Sequence, residues 1–142
     1  MKSEKVTYVF GLFLIVLLFA LSFYNKRKKQ EEIKKYDGKS IAYTKKILGG
    51  QDSHSIKFYF YYKNKLYYGE QTLEDEEEHR SDIINDYFLV TFDKNNLEKN
   101  YIHLDKQIQP DSLTLISQGF KSIKYYEHDI ATNTYIEHYK WQ

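Results

Sequence analysis

An unbroken acidic run, residues 74–78, is followed directly by His79 and Arg80. Carboxylate oxygens and an imidazole are suitable ligands for several divalent cations. However, consecutive side chains on an exposed segment point apart, and the spacing matches neither a Ca²⁺-binding loop nor a His-x-x-x-His zinc pair. We therefore interpret the run as a solvated charged segment, in either a short helix or a loop. The sequence predicts no metal ion and no cofactor.

Nucleophilic catalysis requires a nucleophile, a neighbouring base and a group that orients the base. Ser117 precedes Gln118-Gly119, but the Gly-x-Ser-x-Gly elbow of hydrolases is missing. Gly49-Gly50 lacks the Gly-Lys-Ser/Thr ending of a phosphate-binding loop. The five histidines include no pair three or four residues apart, and the chain contains no cysteine. The sequence thus predicts no catalytic residue and favours a non-enzymatic protein, with a membrane-bound hydrolase of unrecognised site as the alternative.

Tyrosines and lysines share the predicted solvent face of one strand. Tyr59 and Tyr61 lie two residues apart, and Tyr68 lies across the predicted hairpin. Tyrosine offers a large amphipathic contact area to a protein partner, and tyrosines among lysines can also stack nucleobases. The folded part of the chain is net acidic, which argues against nucleic acid. An ordinary sheet face and a partner-binding site both stay open, with Tyr59, Tyr61 and Tyr68 as the predicted partner-binding residues.

A second aromatic cluster lies in the C-terminal tail, and core packing explains it more readily than binding does. Its members are Tyr125, Tyr126, Tyr135, Tyr139 and Trp141. The leading hypothesis is a non-enzymatic, membrane-tethered module that recognises a protein partner through a β-sheet face. An accessory subunit or an immunity-like protein would fit this description. The sequence does not fix the oligomeric state.

A charge-free stretch of nineteen residues, 6–24, predicts one transmembrane helix in contact with lipid. At 1.5 Å per residue it spans about 28 Å, close to the roughly 30 Å hydrocarbon core of a bilayer. A cleaved signal peptide is the rival interpretation, since residues 20–22 form a weak cleavage match. The apolar stretch is longer than the usual core of a signal peptide, and a basic stretch follows it. The sequence therefore favours a retained single-pass anchor behind an N-terminal tail, residues 1–5.

The charge distribution predicts an orientation. Residues 1–36 carry eight basic and three acidic side chains, whereas residues 37–142 carry thirteen and seventeen, a balance of −4. Six basic residues follow the apolar stretch, in a juxtamembrane linker that spans residues 25–38, and two precede it. The positive-inside rule then places the soluble domain in the cytoplasm. The extracytoplasmic side is the alternative, because small bacterial proteins with N-terminal anchors often place their domains outside.

Residues 39–142 predict a β-rich domain of six to eight short strands. Ser55–Lys63 alternates strictly between apolar and polar faces, and Tyr87–Phe92 is apolar on both faces, as in a central strand. Other strands are predicted at 39–48, 66–72, 101–108, 113–116, 121–130 and 135–141, and residues 111–142 form a possible hairpin subregion. The pattern favours a mainly β fold, a small antiparallel β sandwich or partly open barrel. Its predicted core includes Phe58, Phe60, Leu89, Val90 and Phe92.

Short motifs between residues 56 and 108 resemble a recurrent type of small, uncharacterised bacterial membrane protein. These motifs are the strand Ile56–Tyr62, the turn at Asn64, the aromatic Tyr67, and Tyr87–Phe92 running into a turn at residues 93–96. Relatives commonly have an Asn-Pro pair in that last turn, and Asn96 departs from it. The resemblance implies a membrane anchor and a compact β-rich domain of unknown function. It implies no catalytic residues.

Overall fold

The structure, a computed structural model, describes residues 2–50 and 53–142, with side chains from residue 8 onward. The first residue of the predicted N-terminal tail, Met1, lies outside this range. The chain divides into two compact units, one ending at Tyr36 and one spanning Asp37–Gln142. The first unit contains helix α1 (Lys2–Lys34), which continues without a break through most of the predicted linker. Its segment Tyr8–Lys34 is long and apolar enough to cross a membrane.

The second unit is built on a five-stranded antiparallel sheet in the order β3-β2-β1-β4-β5. Each strand pairs with its neighbours in antiparallel register, so the sheet consists of a three-stranded meander, β1 to β3, joined through the pairing of β1 with β4 to a hairpin of β4 and β5. The mainly β fold predicted from the sequence is confirmed. The strand bounds are β1 (Gly38–Gly49), β2 (His54–Tyr62), β3 (Lys65–Thr72), β4 (Tyr87–Asp93) and β5 (Asn96–Ile108).

The turn between β2 and β3 decides the register of that hairpin. Tyr62 pairs with Lys65, so Lys63 and Asn64 form a two-residue turn. Both have positive φ, 49° and 60°, as a type I′ turn requires. The turn predicted at Asn64 is therefore formed by the dipeptide Lys63-Asn64. This register places Tyr68 directly opposite Tyr59.

The sheet curls so that its two edge strands approach each other without forming a closed barrel. Gln71 on β3 accepts a hydrogen bond from the backbone N–H of Ile102 on β5, at 3.0 Å. The concave inner face encloses the main hydrophobic core, to which Phe60 and Phe92 contribute stacked rings 5.1 Å apart. Of the five predicted core residues, Phe58, Phe60, Val90 and Phe92 are buried, whereas Leu89 is only half-buried. The alternation of β4 places Phe88, which is fully buried, in the core instead.

Residues 112–118 form helix α2 (Ser112–Gln118), so the strand predicted at 113–116 is wrong. Asp111 caps the helix by accepting a hydrogen bond from the backbone N–H of Thr114, at 2.7 Å. Gly119 ends the helix in the left-handed conformation, with φ 107°. Four apolar or β-branched residues in a row resemble a short strand, but the two caps specify a helix.

The chain ends in a separate two-stranded hairpin, β6 (Ser122–Asp129) and β7 (Thr134–Trp141). Its base is closed by two backbone hydrogen bonds between Lys121 and Gln142, at 2.7 and 2.9 Å. Trp141 packs against the second hydrophobic cluster of the domain. The hairpin predicted in this region is therefore present, next to the helix that the sequence analysis missed.

Candidate functional site

The outer face of the five-stranded sheet carries a cluster of tyrosines contributed by β1, β2 and β4. Tyr43 lies at its centre, with its ring 5.5 Å from that of Tyr59 and 5.0 Å from that of Tyr87. Tyr61 packs edge-on against Tyr59, with the ring centroids 6.4 Å apart. These positions follow from strand alternation, because the residues between them point into the main core. The outer face is therefore aromatic rather than simply polar.

One side chain from outside the sheet covers part of this tyrosine cluster. Phe120 follows the Gly119 cap of α2, and its backbone N–H donates to the carbonyl of Leu115 at 3.0 Å. This closure turns the Phe120 ring onto the sheet, 5.0 Å from Tyr61 and 5.9 Å from Tyr59. Leu115 is buried in the same cluster. Helix α2 thus anchors a second, smaller core on the outer face.

The three predicted partner-binding residues lie together, but they differ in accessibility. Tyr68 is 68% exposed, and its ring lies 6.4 Å from that of Tyr59. Tyr61 is half-buried. Tyr59 is only 5% exposed, so the prediction that it faces solvent is wrong. Its cover comes from Phe120, sixty-one positions away in the sequence, and strand alternation alone could not reveal it.

Burial raises the pKa of three phenols of this cluster, those of Tyr43, Tyr59 and Tyr87, and so keeps them protonated well into the alkaline range. Desolvation raises the pKa of Tyr59 far above its ordinary value, and the neighbouring phenols raise it further. Desolvation, with Tyr43 and Asp86 nearby, raises the pKa of Tyr87 to about 12. The pKa of Tyr43 is raised by the same causes, burial first and Asp86 second. At neutral pH these side chains are uncharged, so they offer aromatic faces and hydroxyl groups.

A cleft of about 530 Å³ opens beside the covered part of the cluster. Tyr59 forms part of its wall together with the more exposed Tyr68 and the aliphatic Leu66. Asn85 and Gln142 supply amide groups. The volume lies within the range of small-ligand sites, roughly 300–1,000 Å³, and the mixed aromatic and polar lining is typical of binding sites.

A β-bulge brings two lysines to the same cleft. Thr44 pairs with Phe58 and Lys46 pairs with Lys57, so Lys45 is an extra residue in β1. Lys57 shares the outer face with Tyr59, and the bulge therefore places Lys46 on that face beside Lys45. In a regular strand, consecutive side chains would point to opposite faces. The Nζ of Lys45 lies 5.5 Å from the Tyr59 ring centroid, within the range of a cation–π contact.

Sequence reasoning missed this lysine pair as part of a site. The doublet Lys45-Lys46 interrupts the alternation of an otherwise regular strand, and that interruption was the available signal. Lys140 from β7 also lines the cleft. Its proximity depends on the packing of the terminal hairpin, which no local pattern encodes.

The acidic run lies elsewhere, in turns that follow β3. Glu78 is close to His54, with an oxygen–nitrogen distance of 3.0 Å, and Glu77 accepts a hydrogen bond from the backbone N–H of Glu74. Within residues 2–50 and 53–142, no group of three His, Cys, Asp or Glu side chains is arranged to hold a metal ion. A short 3₁₀ turn, Ser81–Ile83, follows the acidic run, and its Ile83 enters the main core.

The tail aromatics are mostly on the surface, contrary to the core packing predicted for them. Trp141 alone among them contacts the outer cluster, as a partly buried member. The other four, Tyr125, Tyr126, Tyr135 and Tyr139, are exposed. A two-stranded hairpin has no inner layer to cover its faces, which explains their exposure.

The chain matches no protein-family model, and no curated protein or solved structure is significantly similar to it. The resemblance to small bacterial membrane proteins stays a prediction.

Proposed function

We propose that this protein is a non-enzymatic, membrane-tethered module that recognises a protein partner through the outer face of its five-stranded sheet. The observation that carries the proposal is the cleft on that face, where Tyr61 and Tyr68 stand beside lysines. Tyrosine buries a large amphipathic area with little loss of side-chain entropy, and aromatic residues are enriched at interfaces. An accessory or immunity-like protein would use such a surface.

The tether is α1. Its large apolar side chains between Tyr8 and Tyr24 are not covered by other parts of the protein. Such an apolar surface is unfavourable in water and favourable in lipid. A helix satisfies its own backbone hydrogen bonds and can therefore cross a bilayer alone. We place residues 37–142 in the cytoplasm, because six basic residues follow the apolar stretch and two precede it. A C-terminal reporter that is active only outside the cytoplasm should be silent, and activity would place the domain on the other side.

Site-specific photocrosslinking in cells tests the recognition surface. A photoreactive amino acid in place of Tyr68 should give a discrete adduct with one protein. The same amino acid in place of Glu98, which is exposed on β5, serves as the matched control and should give none. Equal labelling from both positions, or none from Tyr68, would overturn the proposal.

A further inference from the structure

In the part of the domain that the structure describes, the lysines of the cleft form no ion pair with a carboxylate. Lys45, Lys46 and Lys140 line the cleft, and none of its described lining residues has a carboxylate side chain. Within residues 8–50 and 53–142, none of these three lysines lies within 4 Å of a carboxylate. Other lysines of the domain do have partners: Lys57 lies 3.8 Å from Glu70, and Lys124 lies 2.5 Å from Glu137.

This positive cleft belongs to an acidic domain. Residues 37–142 carry four more acidic than basic side chains, so the three cleft lysines are a local exception to the overall charge. A long polyanion would be disfavoured by the net negative charge of the domain as a whole. A short acidic ligand would be attracted by the three cleft lysines and would experience less repulsion from the net negative charge of the domain. The charge distribution thus favours a compact run of carboxylates over nucleic acid.

The tyrosines add a second requirement. Tyr68 is exposed, and the centroid of its ring lies 6.4 Å from that of Tyr59 in the wall of the cleft. A ligand whose carboxylates contact the lysines can therefore pack an aromatic or large apolar side chain against these tyrosine rings. Lysine ammonium groups on flexible stems can adapt to carboxylates at several spacings. The lining therefore suits a segment in which acidic residues flank an aromatic one.

We propose that the cleft binds a short acidic segment of the partner protein, with its carboxylates on Lys45, Lys46 and Lys140 and an aromatic side chain against Tyr68. This inference rests on the proposed function and adds the chemistry of the partner. The bulge at Lys45 is the structural device that makes it possible, since it places two consecutive ammonium groups on one face of the sheet. Recognition is electrostatic in part and weakens as salt screens the charges.

The test uses the full-length protein in detergent micelles and a fluorescent peptide of sequence Glu-Glu-Phe-Glu-Glu. We expect saturable binding with a Kd below about 1 mM, weaker at high salt, and no binding of Gln-Gln-Phe-Gln-Gln. Lys45→Gln, Lys46→Gln and Lys140→Gln should each weaken binding about fivefold, as loss of one partly exposed charge pair does. Lys94→Gln, at the opposite end of the sheet where Lys94 faces Asp37 at 3.6 Å, is the control and should leave the affinity within twofold.

Several results would overturn the proposal. These are equal binding of the glutamine peptide, indifference to all three cleft lysines, and binding of a ten-nucleotide oligodeoxythymidine in place of the acidic peptide. Self-association that disappears when Glu74–Glu78 are changed to glutamine would assign the cleft to a second copy of the chain and also overturn it. A discrete crosslink from position 68 without peptide binding would leave the proposed function standing and reject only the acidic segment.

Discussion

Phe60 shows how single residues hold the inner core together. Its side chain is fully buried, and its ring stacks between Tyr67 and Phe92 with centroid distances of 5.8 and 5.1 Å. Phe60→Ala removes these contacts and leaves a cavity, so we expect it to lower the free energy of unfolding by about 3–5 kcal/mol. The free energy of unfolding of a native domain is only about 5–15 kcal/mol in total. Denaturant unfolding monitored by circular dichroism measures the loss.

Tyr68→Ala is the matched control, because Tyr68 lies on the same sheet but is exposed. It should change the free energy of unfolding by about 0.5 kcal/mol or less. A loss from Phe60→Ala no larger than that from Tyr68→Ala would contradict the inner core described here.

The outer cluster should respond to pH through Tyr87. Burial raises its pKa from 10.0 to about 12, so the folded state holds a phenolic proton that the unfolded state releases earlier. This contribution to stability is fully present below about pH 10 and is lost as the pH rises toward 12. Denaturant unfolding at several alkaline pH values measures the decline. Tyr87→Phe should make it shallower, and identical declines in both proteins would contradict the assignment.

At the scale of elements, the terminal hairpin contrasts with the sheet. Both of its strands are almost fully exposed, and Trp141 packs against the hydrophobic cluster on the outer face of the sheet. A two-stranded hairpin is marginally stable in water. We therefore expect its amides to exchange with deuterium by local opening, far faster than those of β2 and β4. Mass spectrometry of peptic fragments measures the difference.

Trp141→Ala should increase exchange in β6 and β7 without affecting β2. The matched change Tyr139→Ala, at an exposed position of the same strand, should leave the exchange unaltered. Uniform exchange across the hairpin and the sheet would mean that the hairpin unfolds only with the whole domain.

The elements that the sequence predicts correctly are those specified by residues close together in the chain. Strict alternation in β2 and the turn-forming Asn64 predict the hairpin of β2 and β3. Helix α2 was missed although Asp111 and Gly119 are standard helix caps, because its apolar residues were given more weight than its ends. The lysine pair and the burial of Tyr59 depend on a bulge and on Phe120, which are tertiary features. Two of the three predicted binding residues, Tyr61 and Tyr68, do reach solvent in the cleft.

At the scale of the whole molecule, the two units have opposite relationships to water. The unit Asp37–Gln142 encloses its own core, whereas α1 exposes large apolar side chains along the stretch from Tyr8 to Tyr24. Tethering through α1 predicts that the full-length protein stays with membranes after a sodium carbonate wash. Immunoblotting of the pellet and supernatant measures its retention. A soluble product that begins near Phe23 would instead identify the segment as a cleaved signal peptide.

A matched pair of variants separates insertion from simple adhesion to the membrane surface. Leu14→Asp combined with Leu18→Asp puts two carboxylates near the centre of the apolar stretch, where each costs about 2.5–3.5 kcal/mol to insert. This variant should move to the supernatant. Lys28→Asp combined with Lys29→Asp adds the same number of carboxylates outside the apolar stretch, and it should stay in the pellet because the apolar stretch is unchanged. Release of the lysine variant together with retention of the leucine variant would mean that the basic residues hold the protein to lipid headgroups and that α1 does not cross the bilayer.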